Sequence, residues 1–343
     1  MNRIIEKQIE KKEKNIGLLI LKIYLSFNVV NTHCLDISNI PSNLIFFLTN
    51  SLHAPTFFII SFYFFYKSLI SRNINKFRLR FQRLLIPYIV WPIIIFIINN
   101  ILFYVFKKKL FKTFKDLKNQ LLTGHCFIPA LWFQWDLIFE TFLFIIIELL
   151  FHKYLIIILI NIEIVSYFLQ YSNYNYNFFE KLIFEQKFTF GRLIEILPYS
   201  ISGLIIAHFE LMKNLKKNKI KTLYFCFVVF YFNYKFNFII DPLGFYYQGL
   251  KIHIQSICIF ISFSIISMNF LPDILIKGIK QMSVLTPGIY YLHFSLLNFF
   301  EIIFISVQKK TIFGSLFIYI MSYLICFIGN RFVKNTKLKH LFQ

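Results

Sequence analysis

Ten apolar runs of about 18 to 22 residues, separated by short polar or proline-containing connectors, constrain this chain more than any other feature. At 1.5 Å per residue, such a run crosses the roughly 30 Å of a bilayer's hydrocarbon as a helix. A helix also satisfies its own backbone N–H and C=O groups where no water can. The runs cover approximately 17–34, 44–66, 84–106, 131–151, 154–171, 192–210, 222–240, 252–271, 284–305 and 312–330. The expected fold is all-α: a polytopic transmembrane helix bundle of about ten spans, with 1–343 as a single integral-membrane domain. No internal repeat, low-complexity linker or soluble module interrupts it.

Composition agrees. Hydrophobic residues make up 57% of the chain and charged residues only 15%, more apolar surface than a water-soluble core hides. A net charge of +21 would suggest nucleic acid in a soluble protein, but here Lys and Arg gather between the apolar runs. That is the pattern of topology signals and anionic-lipid contact, so the lipid bilayer is the expected partner and nucleic acid is not. With the N-terminus inside, the inner connectors hold about twice as many basic residues as the outer ones, which places both termini in the cytosol. The connector 107–130 runs against this count with six lysines, Lys107, Lys108, Lys109, Lys112, Lys115 and Lys118. Five basic groups in the first 14 residues precede a first run with no small-residue cleavage site, which reads as an uncleaved span. The five cysteines lack CxxC or Cys/His zinc spacing and read as small packing residues. No metal site, Gly-rich phosphate loop or flavin signature is visible.

Ionisable groups inside the runs carry the functional signal, because each costs a few kcal/mol unless it has a partner, a wet cavity or a job. Lys22 and His33 are 11 residues apart, within about 20° of three helical turns, so they share one face with Ser26 and lie roughly 16 Å apart along the axis. An imidazole with a pKa near 6.5 can take a proton from a hydroxyl nucleophile and return it to a leaving group. By residue type alone, an interfacial histidine bonded at a helix end fits His33 as well. Arg80 and Arg83 share a helical face at the inner end of the third run, and their planar forks suit phosphate. A basic collar touching anionic lipid is the other reading of that pair.

In the fourth run Trp132, Asp136 and Glu140 recur every four residues, and Glu148 continues the stripe. The carboxylates either neutralise Lys22 or Arg192, or grip sugar hydroxyls beside Trp132 and Trp135. The ninth run has Thr286, Tyr290 and His293 on one stripe, while His53, His125 and His253 read as interfacial.

Taken in order along nearly the whole chain, these segments resemble acyltransferase family 3, bacterial inner-membrane proteins that acylate sugars of envelope polysaccharides. Lys22 and His33 match the family's arginine and histidine separated by ten residues, with lysine in place of arginine. Pro55-Thr56-Phe57-Phe58-Ile59-Ile60-Ser61 is similar to its Pro-x-Phe-Phe-x-x-Ser segment, and Arg80-Phe81-Gln82-Arg83 to its Arg-x-x-Arg. Leu131-Trp132-Phe133-Gln134 resembles its Leu-Trp-Phe-Leu stretch, and Pro198-Tyr199-Ser200-Ile201-Ser202-Gly203 and Gly288-Ile289-Tyr290-Tyr291-Leu292-His293 fall in the expected places. Two departures stand out: Lys22 keeps the charge without the planar fork, and Phe62 stands where glycine often follows the serine.

The resemblance implies ten spans, a cytosolic N-terminus and location in the bacterial inner membrane. It also implies transfer of an acyl group, expected to be acetyl, from acyl-CoA as donor substrate to a hydroxyl of a glycan or lipid-linked sugar acceptor. Arg80 and Arg83 would then hold the donor, His33 would act as general base or acyl carrier, and Lys22 would supply positive potential. Trp132, Trp135, Asp136, Glu140, Tyr290 and His293 would line the acceptor. The rival class is a glycan or lipid transporter without covalent chemistry, since carriers also bury ionisable residues along a path. A structural role in a polysaccharide assembly complex is the third. Nothing in the sequence sets the oligomeric state.

Overall fold

The computed structural model describes residues 15–35, 52–106, 112–124, 126–128, 131–171, 190–236, 249–266, 271–303, 311–336, 338 and 340–342. Among them the regular structure is helical throughout: α1 (Ile16–Cys34), α2 (His53–Ile70), α3 (Ile74–Phe106), α4 (Phe114–Thr123), α5 (Trp132–Phe151) and α6 (Leu155–Tyr171). These are followed by α7 (Phe190–His208), α8 (Leu211–Lys217), α9 (Lys219–Phe236), α10 (Leu250–Ile265), α11 (Asp273–Ile303) and α12 (Ile312–Val333).

Each apolar run falls on one of these helices. By length and apolarity, four stretches are able to cross a membrane: Ile16–Cys34, Ile74–Val105, Trp132–Tyr171 and Ile312–Val333. A fifth is added if Gly191–His208 and Leu211–Lys217, bent 67° to each other, count as one. The chain is therefore a multi-pass membrane protein whose regular structure is helical throughout the described residues. Residues 44–51, 237–240, 267–270 and 304–305 of the expected spans lie outside the described residues, as do His125 and Lys107 to Lys109.

The helices differ from the expected boundaries in ways the sequence explains. α3 begins ten residues before the apolar run, so Arg80 and Arg83 sit inside a continuous helix. The polar connector 107–130 contains α4, started by Thr113 and Asp116, which form a reciprocal capping box, and ended by Gly124 in the left-handed conformation. At the α7–α8 bend Glu210 takes φ 48° and pairs with Lys213.

Prolines inside the helices free carbonyls, and neighbours satisfy them. Pro287 removes the donor for the Ser283 carbonyl, which accepts instead from Thr286 Oγ1 at 3.0 Å. Pro198 does the same to Ile194, whose carbonyl accepts from Gln170 Nε2 on α6 at 2.8 Å. Near Pro87, the Leu84 carbonyl accepts an additional bond from Gln134 Nε2 on α5. At Pro287 and Pro198 a side chain replaces the lost backbone bond, so the break costs little where water is absent.

Two apolar clusters hold the bundle. One joins Leu18, Leu21 and Leu25 of α1 to Phe58 and Phe62 of α2, Phe144 of α5, Tyr199 and Leu204 of α7 and Phe260 of α10. The other joins Val29 and Val30 of α1 to Trp91 of α3, Ile289 and Tyr291 of α11, Tyr319 of α12, and Phe342. α7 and α2 approach so closely that a Cβ on Gly203 would lie 2.5 Å from the Ile59 carbonyl oxygen. α1 contributes to both clusters, one half to each, and polar side chains occupy the interior between them.

Candidate functional site

α1 carries the site's two poles. Lys22 is partly buried, its Nζ 5.8 Å from the centre of the Phe64 ring and within electrostatic range of the Arg83 guanidinium. Neither Lys22 nor Arg83 forms an ion pair with a carboxylate among the described residues. Arg83 is exposed, whereas Arg80 turns into the bundle. Its Nε donates to Thr141 Oγ1 at 2.9 Å, its Nη2 to Ser61 Oγ at 3.0 Å and its Nη1 to the Ser61 carbonyl at 3.4 Å. The guanidinium also lies over the Phe62 and Phe65 rings, 4.9 and 4.4 Å from their centres. Phe62, the departure from the family's usual glycine, is thus a fully buried stacking surface for Arg80. The two arginines of the Arg-x-x-Arg segment divide their roles: one is tied to α2 and α5, the other is available.

At the other pole His33 is exposed and meets two rings of α11: His293, with centroids 5.2 Å apart at 30°, and Phe294, 5.8 Å away and edge-on. His293 is fully buried and Tyr290 nearly so, with Phe133 of α5 5.4 Å from the Tyr290 ring. His53 of α2, also buried, lies within electrostatic range of His293. Residues from α1, α2 and α11 that are far apart in sequence thus converge in one histidine cluster. α11 is held in place by close packing, since a Cβ on Gly288 would come within 2.7 Å of Cys326 Sγ on α12.

Between the poles runs the acidic stripe of α5. Asp136, fully buried, forms a two-pronged pair with Arg192 of α7: Nε donates to Oδ2 at 2.6 Å and Nη2 to Oδ1 at 2.8 Å. Arg192 also lies over Trp132 and Trp135, at 5.3 and 5.7 Å. Of the two cations weighed as partners for Asp136, the structure selects Arg192. Trp135 stacks on Phe139 at 5.4 Å. Glu140, fully buried, accepts from Ser200 Oγ at 2.5 Å, and its other oxygen has no partner among the described residues. Glu148 accepts from Arg72 Nε at 3.0 Å and pairs with His152 at 2.6 Å. The whole stripe faces inward, as carboxylates in a membrane helix must.

The tertiary fold assigns several partners that local sequence leaves unassigned. Thr141 and Ser200 are ordinary hydroxyl residues until the fold sets them beside Arg80 and Glu140. His253 is not interfacial: it is buried, bonded to Ser202 Oγ at 2.7 Å and to the Tyr167 hydroxyl, and fastens α10 to α7 and α6. Only a helical-wheel overlay of all three helices would have suggested that brace.

No group of three or more His, Cys, Asp or Glu side chains suited to a metal ion occurs among the described residues. The chemistry at hand is that of a basic end with no carboxylate partner among the described residues, a buried charge-paired interior and an imidazole cluster. No curated protein and no solved structure matches the chain. The family model described as an acyltransferase domain matches residues 15–331, nearly the full length. With the Lys22/His33 helix, the Arg-x-x-Arg segment and the Leu-Trp-Phe stretch all assembled in one bundle, the chain belongs to acyltransferase family 3.

Proposed function

We propose that this acyltransferase takes its acyl group, acetyl in the simplest case, from acyl-CoA at the cytosolic side of a bacterial inner membrane. The acceptor is a hydroxyl of a cell-envelope polysaccharide or a lipid-linked sugar. This reading uses ten spans with both termini in the cytosol. The observation that carries it is the pairing of Lys22 with Arg83, two cations within range of each other and without a carboxylate among the described residues. Two cations within range of each other, Lys22 partly buried and Arg83 open to its surroundings, suit an anion, and the phosphates of CoA supply one. Lys22 then serves donor binding, and Arg80 orients α3 from behind.

Roughly 16 Å further along α1, His33 removes the proton of the acceptor hydroxyl. The hydroxyl oxygen forms the ester C–O bond as the thioester C–S bond breaks, and the proton passes from His33 to the leaving thiolate. Trp132 and Tyr290 are the rings assigned to the sugar, while Trp135 is already stacked on Phe139 beside Arg192.

The test uses purified protein with labelled acetyl-CoA and candidate glycans, comparing wild type with His33→Ala and Arg83→Ala. Loss of transfer in His33→Ala and a raised KM for acetyl-CoA in Arg83→Ala are expected. Full transfer by His33→Ala would remove the catalytic assignment, and movement of unmodified glycan across the membrane would favour a carrier.

A further inference from the structure

The histidine cluster contains a nitrogen that the transfer step above leaves unused. A backbone carbonyl has no proton to give, so the 3.2 Å contact between His293 Nδ1 and the Ile289 carbonyl makes Nδ1 the N–H donor. Full burial, with no carboxylate bonded to it among the described residues, disfavours a second proton on the ring. Nε2 therefore keeps its lone pair, and it has no hydrogen-bond partner among the described residues. A buried acceptor left open in this way needs a reason.

His33 stands beside it. Two imidazoles joined by one N–H···N bond of about 2.9 Å have ring centres about 5 Å apart. The observed 5.2 Å and 30° tilt fit such a bond after a small turn of the exposed His33 side chain. Among the described residues, the pair is also faced by His53 from α2 and by Phe294 and Tyr290 on α11, the Tyr290 ring lying 6.1 Å from His293.

We propose that His293 is a positioning residue for acyl transfer: its Nε2 accepts the N–H of His33 and so holds the opposite nitrogen of His33 as the base that faces the acceptor hydroxyl. This rests on the acyl-transfer reading and adds to it a specific tautomer. His293 takes the place that a carboxylate occupies in hydrolase triads, where the third group fixes the imidazole without accepting the proton itself. The proton still travels from acceptor hydroxyl to His33 to thiolate, and His293 keeps its own proton on Nδ1 throughout.

The test separates the two nitrogens of His293. Gln places an amide near the Nε2 position, Asn places one near Nδ1, and Phe keeps the ring without either nitrogen. With acetyl-CoA and a glycan acceptor, His293→Phe and His293→Asn are expected to lower kcat by about tenfold or more, with KM for acetyl-CoA changed less than about twofold. His293→Gln is expected to recover to within about threefold of wild type. Melting temperatures of the three variants serve as the folding control, and the Asn-against-Gln comparison stands even if the Phe variant fails to fold. Wild-type kcat in His293→Asn, or a Gln variant no more active than Asn, overturns the assignment while leaving His33-dependent transfer intact. Transfer that survives His33→Ala overturns the acyl-transfer roles and this inference together.

Discussion

Removing the carboxylate of Asp136 tests whether the α5 stripe is a structural spine. In the wild type the Arg192 guanidinium, 8% exposed, makes two short charge-assisted bonds to a fully buried carboxylate. After Asp136→Ala its remaining contacts among the described residues include the Thr123 carbonyl at 3.4 Å and the faces of Trp132 and Trp135. An uncompensated buried charge costs about 3–5 kcal/mol, so the single variant should melt on the order of 5–10 °C lower. Replacing both partners by apolar residues of similar volume, Asp136→Leu with Arg192→Met, removes the stranded charge and should recover most of that loss. Thermal unfolding of the purified protein in one detergent, over wild type, both single variants and the double variant, closes the cycle. A coupling below about 1 kcal/mol would refute the claim that the pair is buried and mutually dependent. A stable Asp136→Ala protein with a raised acceptor KM would move Asp136 from structure to sugar contact.

Gly203→Leu should destabilise strongly, by about 3 kcal/mol or more, because its side chain meets the Ile59 backbone and not a movable side chain; unfolding temperature reports it, and an unchanged value would mean α2 and α7 are not in direct contact. Arg80→Lys keeps the charge but loses the fork to Thr141 and Ser61, so lower stability with an unaltered KM for acetyl-CoA is expected, the reverse of Arg83→Ala. Asp116, outside the membrane segments, accepts the Thr113 backbone N–H and side-chain hydroxyl, which hold its carboxyl below the usual range. Its folded pKa lies below the unfolded one, so the α4 cap is fully present above the unfolded value, about 3.9, and is lost as pH falls through the folded value. Fluorescence of a probe at the start of α4 should show this loss in wild type, and a titration of the same size in Asp116→Asn would refute it.

Sequence alone determined the helical membrane class, because runs of that length and apolarity have one way to satisfy their backbone in hydrocarbon. It also determined that Lys22 and His33 share a face, that the carboxylates of α5 look inward, and which segments match the family, since these follow from helical period and local order. It did not reveal which cation Asp136 takes: Lys22 and Arg192 are equally charged on paper, and only the approach of α7 to α5 chose between them. Nor did it separate Arg80 from Arg83, whose i, i+3 spacing suggests a shared task until Ser61 and Thr141 claim one of them. The meeting of His33 with His293 is of the same kind. Contacts between helices hundreds of residues apart depend on rotation and depth of each helix in the bundle, and those are set by packing at positions such as Gly203 and Gly288, which a local pattern does not encode.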